Sequence, residues 1–178
     1  MISLDDLDAI KKYDARDMAY FIESFPEQCR EAEKIGLLSN IPGSLKIKYR
    51  NIVCAGMGGS AIGADIARSY TADEALTPIF VNRNYTVPAF VGRESLVIVS
   101  SYSGNTEETI SALKCAKARG AGIIVISSGG ILSGLAHASS IPVIRIPPGL
   151  QPRAALGYGF FTLITALCIC SKQAYFLI

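Results

Sequence analysis

The chain has 178 residues, half of them hydrophobic and 18% charged, with a formal net charge of +2. That length and balance suit one well-buried α/β domain with a small helical extension. Lys and Arg are scattered and not interleaved with aromatics, so no nucleic-acid-binding face is expected. Five cysteines at irregular spacing (Cys29, Cys54, Cys115, Cys168, Cys170) form neither a disulfide framework nor a zinc-ribbon pattern. No metal site is expected. The N-terminal MISLDDLDAIKK is acidic and amphipathic and lacks the apolar core of a signal peptide, which points to a reducing cytoplasm.

Residues 3–37 carry helical spacing, with Leu4, Leu7 and Ile10, then Met18, Phe21, Ile22 and Phe25, on apolar stripes, and Pro26 interrupting or opening a second helix. SNIPGSLK (39–46) reads as a linker by its turn residues. Residues 1–45 are therefore expected to form a helical arm and linker, and residues 46–178 the main domain. From there the rhythm is strand, turn, helix. NIVCAG (51–56), PIFV (78–81), LVIVSS (96–101), GIIVIS (122–127) and PVIRIP (142–147) are short apolar runs, as parallel strands covered on both faces require. Helices are expected from Ser60 to Tyr70 and at about 105–119, 131–139 and 153–170. This alternation predicts right-handed crossovers and a five-stranded parallel sheet flanked by helices.

The last helical stretch, AALGYGFFTLITALCIC (154–170), is at the lower edge of the roughly 17–25 residues that cross a bilayer. Its Thr162 and Thr165, its glycines and the flanking Gln151 and Arg153 fit a helix buried between subunits better than a membrane span.

Two loops at carboxyl ends of strands are unusual, and in open parallel sheets ligands bind there. The first, AGMGGSAIG (55–63), has Gly56, Gly58 and Gly59 for a tight turn and Ser60 where a helix begins. Gly56-x-Gly58-x-x-Ala61 also satisfies a loose dinucleotide fingerprint. The next strand, however, runs into Asn82, Arg83 and Asn84, with no carboxylate for a ribose; Arg83 leaves NADP open.

The second loop, SSYSGNTEET (100–109), presents Ser101, Ser103 and Thr106 around Gly104 and Asn105, just before a helix. A helix N-terminus has unpaired N–H groups and a dipole that favours an anion. The plainer alternative is that Ser103 or Asn105 simply caps the helix, with Asn105…Glu108 resembling a capping box. Capping explains one or two of the polar residues, whereas an anion site explains the cluster.

GMGGSAIGADI, SYSGNTEET and PPGLQPRAALGY, in that order, resemble the sugar isomerase (SIS) domain, specifically that of the bifunctional phosphoglucose/phosphomannose isomerases. YDARDM…FPEQCREAEKI, near the N-terminus, is similar to the same family. The resemblance implies a flavodoxin-like fold, a phosphorylated hexose as ligand and no cofactor. It implies that Ser101, Ser103 and Thr106 hold the phosphate, with Gly104 and Asn105 in the same loop, and that Gly58, Gly59 and Ser60 lie near the sugar. Arg153 matches an arginine that stabilises the enediolate; a fixed guanidinium beside a developing oxyanion favours the transition state.

Aldose–ketose isomerisation also needs a base and a ring-opening acid. In the family a glutamate, a histidine and a lysine from a second SIS half supply these, and this sequence is expected to hold one SIS unit. His137 reads as a packing or surface residue. Glu107 and Glu108 stabilise a first helical turn and would repel a phosphate unless turned away. The expected function is the phosphosugar-binding unit of an isomerase interconverting glucose 6-phosphate or mannose 6-phosphate with fructose 6-phosphate. The alternatives are a non-catalytic phosphosugar-sensing module and an NADP-binding oxidoreductase domain. A homodimer is expected to bury the apolar face of residues 154–170.

Overall fold

Each of the five short apolar runs expected as strands is one in the computed structural model, which describes residues 5–171. The strands are β1 (Asn51–Gly56), β2 (Ile79–Asn82), β3 (Ser95–Ser100), β4 (Gly122–Ser127) and β5 (Val143–Arg145), all parallel, in the order β2-β1-β3-β4-β5. That is the flavodoxin-like order, with its topological switch between β1 and β3. Helices α4 (Gly58–Tyr70), α5 (Glu107–Ala118) and α6 (Gly130–Ala138) form the crossovers, and α7 (Leu156–Ser171) ends the described chain.

The side-chain period of two sorts the strand residues onto two faces. Ile52, Cys54, Leu96, Ile98, Ile124 and Ile126 enter one core with Ala64 and Ala67 of α4 and Leu163, Ala166 and Leu167 of α7. Val53, Ala55, Val97, Val99, Ile123 and Val125 enter the other, with Ala112 and Leu113 of α5 and Leu132 and Ala136 of α6. Both faces being covered, the central strands are apolar throughout.

The N-terminal region is three helices rather than one interrupted pair: α1 (Leu7–Tyr13), α2 (Met18–Glu23) and α3 (Phe25–Leu37), with Pro26 in the first turn of α3. The break falls at Asp14, whose carboxylate accepts the backbone N–H groups of Ala19 (2.8 Å) and Met18 (2.7 Å). Those bonds hold its pKa below the usual carboxylate value. The expected linker contains a short 3-10 turn, Gly43–Leu45.

α7 packs between α3 and α4. Pro152–Cys170 is long and apolar enough to cross a membrane, and 61% of its most apolar window is buried inside the chain. Leu163, Ala166 and Leu167 are at most 3% exposed. Part of the burial that a second subunit was expected to provide for this helix thus comes from the chain's own α3 and α4, while Phe160, Phe161 and Ile169 stay partly exposed.

Candidate functional site

β1 and β3 are neighbours paired in register, Gly56 opposite Ser100, so the two unusual loops leave the sheet side by side at the switch point. Ser60 closes the gap. Its Oγ accepts the backbone N–H of Tyr102 at 3.1 Å. The cavity beneath, lined by Gly56, Ser60, Ser100 and Gly159 among others, measures about 10 Å³, room for one water molecule at most. A ligand of sugar size has to sit above the loops.

In the second loop, Ser101 is buried and its Oγ lies 2.9 Å from Thr106 Oγ1 while accepting the Gly104 N–H at 3.1 Å. Ser103 is exposed, and its Oγ accepts the Asn105 N–H at 3.2 Å. Gly104 has φ +70°, and a Cβ there would stand 1.8 Å from the Gly129 carbonyl oxygen, so glycine is obligatory. The loop is clipped to the start of α6, where the Leu132 N–H donates to the Gly104 carbonyl at 2.8 Å.

Capping turns out differently from the sequence pattern. Thr106, not Asn105, is the N-cap residue of α5, and no side chain caps that helix. Asn105 instead reaches across the loop, its Oδ1 accepting the Ile131 N–H at 3.0 Å. The first-turn N–H groups of α5 therefore remain available to an external acceptor, and the helix dipole favours an anionic one. Glu107 and Glu108 interact with Tyr85. Tyr85, from the loop after β2, has its phenol pKa raised by the Glu108 charge and further by Glu107, to which it also hydrogen-bonds.

Gly58 and Gly59 open α4, two residues earlier than the sequence pattern suggested, with Gly58 exposed at φ +49°. A Cβ at Gly59 would be 3.0 Å from the Pro152 carbonyl oxygen. That contact brings the glycine loop against the 3-10 turn Pro152–Ala155, which carries Arg153. The Arg153 side chain is exposed and makes no ion pair among the described residues.

Two residues of this neighbourhood are invisible to motif reading. The Tyr102 hydroxyl donates to the Pro147 carbonyl (2.9 Å) and accepts from the Leu150 N–H (2.7 Å), binding the second loop to the segment that leads to Arg153. Gln28, from α3, donates through Nε2 to the Ala154 carbonyl (2.7 Å) and accepts the Gly157 N–H through Oε1 (2.8 Å). A buried glutamine in an amphipathic helix gives no signal of its own in a sequence.

Neither His137 nor Arg83 joins the site. His137 is exposed in the last turn of α6, which starts at the carboxyl edge of the sheet and runs away from it. Arg83, which an NADP 2′-phosphate would need, is ion-paired with Asp65. None of the five cysteines is in a disulfide, and the described residues contain no His/Cys/Asp/Glu cluster able to hold a metal.

The SIS domain model matches residues 47–170. The bifunctional phosphoglucose/phosphomannose isomerase of Caldicellulosiruptor bescii is 49% identical over 144 residues, covering 80% of this chain and 42% of that protein. The chain thus spans about two-fifths of the length of this curated relative, and less than half of the others it matches. Among solved structures, the Vibrio vulnificus NanR protein complexed with ManNAc-6P superposes with a TM-score of 0.63 at 16% identity, over 96% of this chain and 68% of that one. A phosphoheptose isomerase from Francisella tularensis does so with a TM-score of 0.56 at 15% identity, over 97% and 100%. At those identities the likeness is one of fold. The match to the domain model over most of the chain, on a flavodoxin-like sheet with both loops at its switch point, places the chain in the SIS domain family.

Proposed function

We propose that this chain is the phosphosugar-binding unit of an aldose–ketose isomerase that interconverts glucose 6-phosphate or mannose 6-phosphate with fructose 6-phosphate. Residues 46–178 form the phosphosugar-binding domain in this reading, and residues 1–45 a helical arm that buttresses it through α3.

The observation that carries the reading is the Ser101–Thr106 hydroxyl pair, 2.9 Å apart, at the uncapped N-terminus of α5. Ser101, Ser103 and Thr106 turn their hydroxyls to a phosphate, Gly104 and Asn105 shape the cradle, and the α5 N–H groups complete it. Each hydrogen bond to a charged acceptor is worth roughly 1.5–3 kcal/mol, and the helix dipole adds about 0.3–1 kcal/mol. Gly58, Gly59 and Ser60 line the neighbouring space for the sugar. Arg153 then faces the carbons that react. As a proton leaves C1 or C2, charge develops on the enediolate oxygens, and a guanidinium held in place favours that charge over the neutral substrate.

Five cysteines outside any disulfide fit a reducing, cytoplasmic setting. A homodimer through residues 154–170 belongs to the same reading, with the partly exposed Phe160, Phe161 and Ile169 as the surface left to a partner.

Phosphorus NMR of fructose 6-phosphate tests the assignment. Adding the purified chain is expected to shift and broaden the phosphate resonance, and excess inorganic phosphate to reverse both effects. A resonance unmoved by folded protein at millimolar concentration contradicts the reading. Binding without turnover is the outcome expected of a unit whose base and ring-opening acid come from a second SIS half.

A further inference from the structure

The turn bearing Arg153 is held from two directions. On one side the Pro152 carbonyl packs against Gly59. On the other, Gln28 spans the junction between the 3-10 turn and α7, one end of its amide on the Ala154 carbonyl and the other on the Gly157 N–H. The Gly157 N–H belongs to the first turn of α7, where no intrahelical acceptor exists. A residue 129 positions earlier in the chain supplies one.

Gln28 is only 6% exposed, and both polar ends of its amide are used. Its two hydrogen bonds satisfy an N–H and a carbonyl that a leucine in its place would leave without partners, so the contact contributes to stability. The amide also fixes the geometry of Ala154 and Gly157, on either side of the point where the helix begins. Arg153 immediately precedes that point. A long exposed side chain is aimed only as well as its backbone is fixed, and a 1 Å misplacement can cost on the order of 100-fold in a reaction.

We propose that Gln28 is a positioning residue, which sets the direction of the Arg153 guanidinium by fixing the turn from which it projects. The proposal rests on the enediolate role given to Arg153 above. Gln28 touches no substrate. Its effect reaches the ligand through Arg153 and should therefore fall on charge at the reacting carbons and not on the phosphate.

Two variants attack the contact from opposite sides. Gln28→Met keeps the volume and removes both hydrogen bonds. Gly157→Ala leaves Gln28 in place but puts a Cβ 2.6 Å from its Oε1, displacing the amide. Each variant, their combination and the unaltered chain are titrated with two ligands. One is fructose 6-phosphate; the other is a five-carbon aldonohydroxamate phosphate, whose ionised hydroxamate imitates the enediolate. The unaltered chain is expected to prefer the hydroxamate by about 100-fold or more. Each single variant should cut that preference about tenfold or more while changing fructose 6-phosphate affinity less than about threefold. The double variant should lose no more than either single one, because both break the same contact.

A preference that survives in both folded variants overturns the proposal and leaves the phosphosugar reading intact. Equal losses for both ligands overturn it too, since they mean a structural role. Failure of the unaltered chain to bind either ligand overturns the phosphosugar reading, and this proposal with it.

Discussion

Ser60 Oγ accepts the backbone N–H of Tyr102 at 3.1 Å, a bond between residues 42 positions apart that joins the loop after β1 to the loop after β3. Tyr102 is in turn tied through its carbonyl to the N–H of Ser128 (3.1 Å) and through its hydroxyl to Pro147 and Leu150. Four segments at the carboxyl edge of the sheet thus share one residue. The hydroxyl of Ser60 serves this framework whatever it also does for a ligand.

Replacing Ser60 by alanine removes that acceptor and leaves the Tyr102 N–H without its partner. The expected loss is about 1–3 kcal/mol of stability, read as a lower denaturant midpoint with an unchanged slope. Phosphosugar affinity should fall as well, because Tyr102 lies within the cradle loop, between Ser101 and Ser103. An unchanged midpoint would mean that water replaces the hydroxyl at no cost.

Gly104→Ala should be among the most damaging single changes in the chain. The residue sits at φ +70°, and the new Cβ would overlap the Gly129 carbonyl oxygen at 1.8 Å. Either the second loop or the start of α6 must move. Strain and clash together are expected to cost about 3 kcal/mol or more and to abolish phosphosugar binding. Thermal unfolding followed by circular dichroism measures the first effect and titration the second.

The cysteines give a pH dependence. Burial pushes the Cys54 thiol from 9.0 up to about 12 and the Cys170 thiol from 9.0 up to about 11. In the unfolded chain both ionise near 9, while the folded chain keeps them protonated. Their contribution is therefore complete below pH 9 and is lost as pH rises through 11 and 12. The slope approaches ~1.4 kcal/mol per pH unit for each thiol. Equilibrium denaturation between pH 8 and 11 should show stability flat at first and then falling. At pH 8 the native protein should leave Cys54 and Cys170 unmodified by a thiol reagent. Rapid labelling of either would contradict their placement in the core.

Much of the fold was legible because the signals are local. Ile52 to Ala55, Leu96 to Val99 and Ile123 to Ile126 are buried on both faces of the sheet, so the strands appear as unbroken apolar runs. The break into α1 and α2 was not legible, since it depends on the Asp14 carboxylate curling onto two N–H groups in an otherwise helical pattern. The two loops were found because glycines and hydroxyls clustered after strands are rare. Asn105 shows the limit of such patterns: its spacing from Glu108 fits a capping box, yet its side chain bonds Ile131, on another helix. Gln28 and the Tyr102 hydroxyl escaped entirely, because their partners lie 126 and 45 positions away. Nothing near them in the chain marks them.

The most direct test of the central claim is calorimetric titration of the purified chain with fructose 6-phosphate, repeated on the Ser103→Ala, Thr106→Ala double variant. The unaltered chain should bind saturably. In the double variant, affinity should fall by at least about 100-fold, as two hydrogen bonds to a charged phosphate are lost. Equal affinity in the two proteins, or no binding by a folded unaltered chain, would contradict a phosphate cradle at the start of α5.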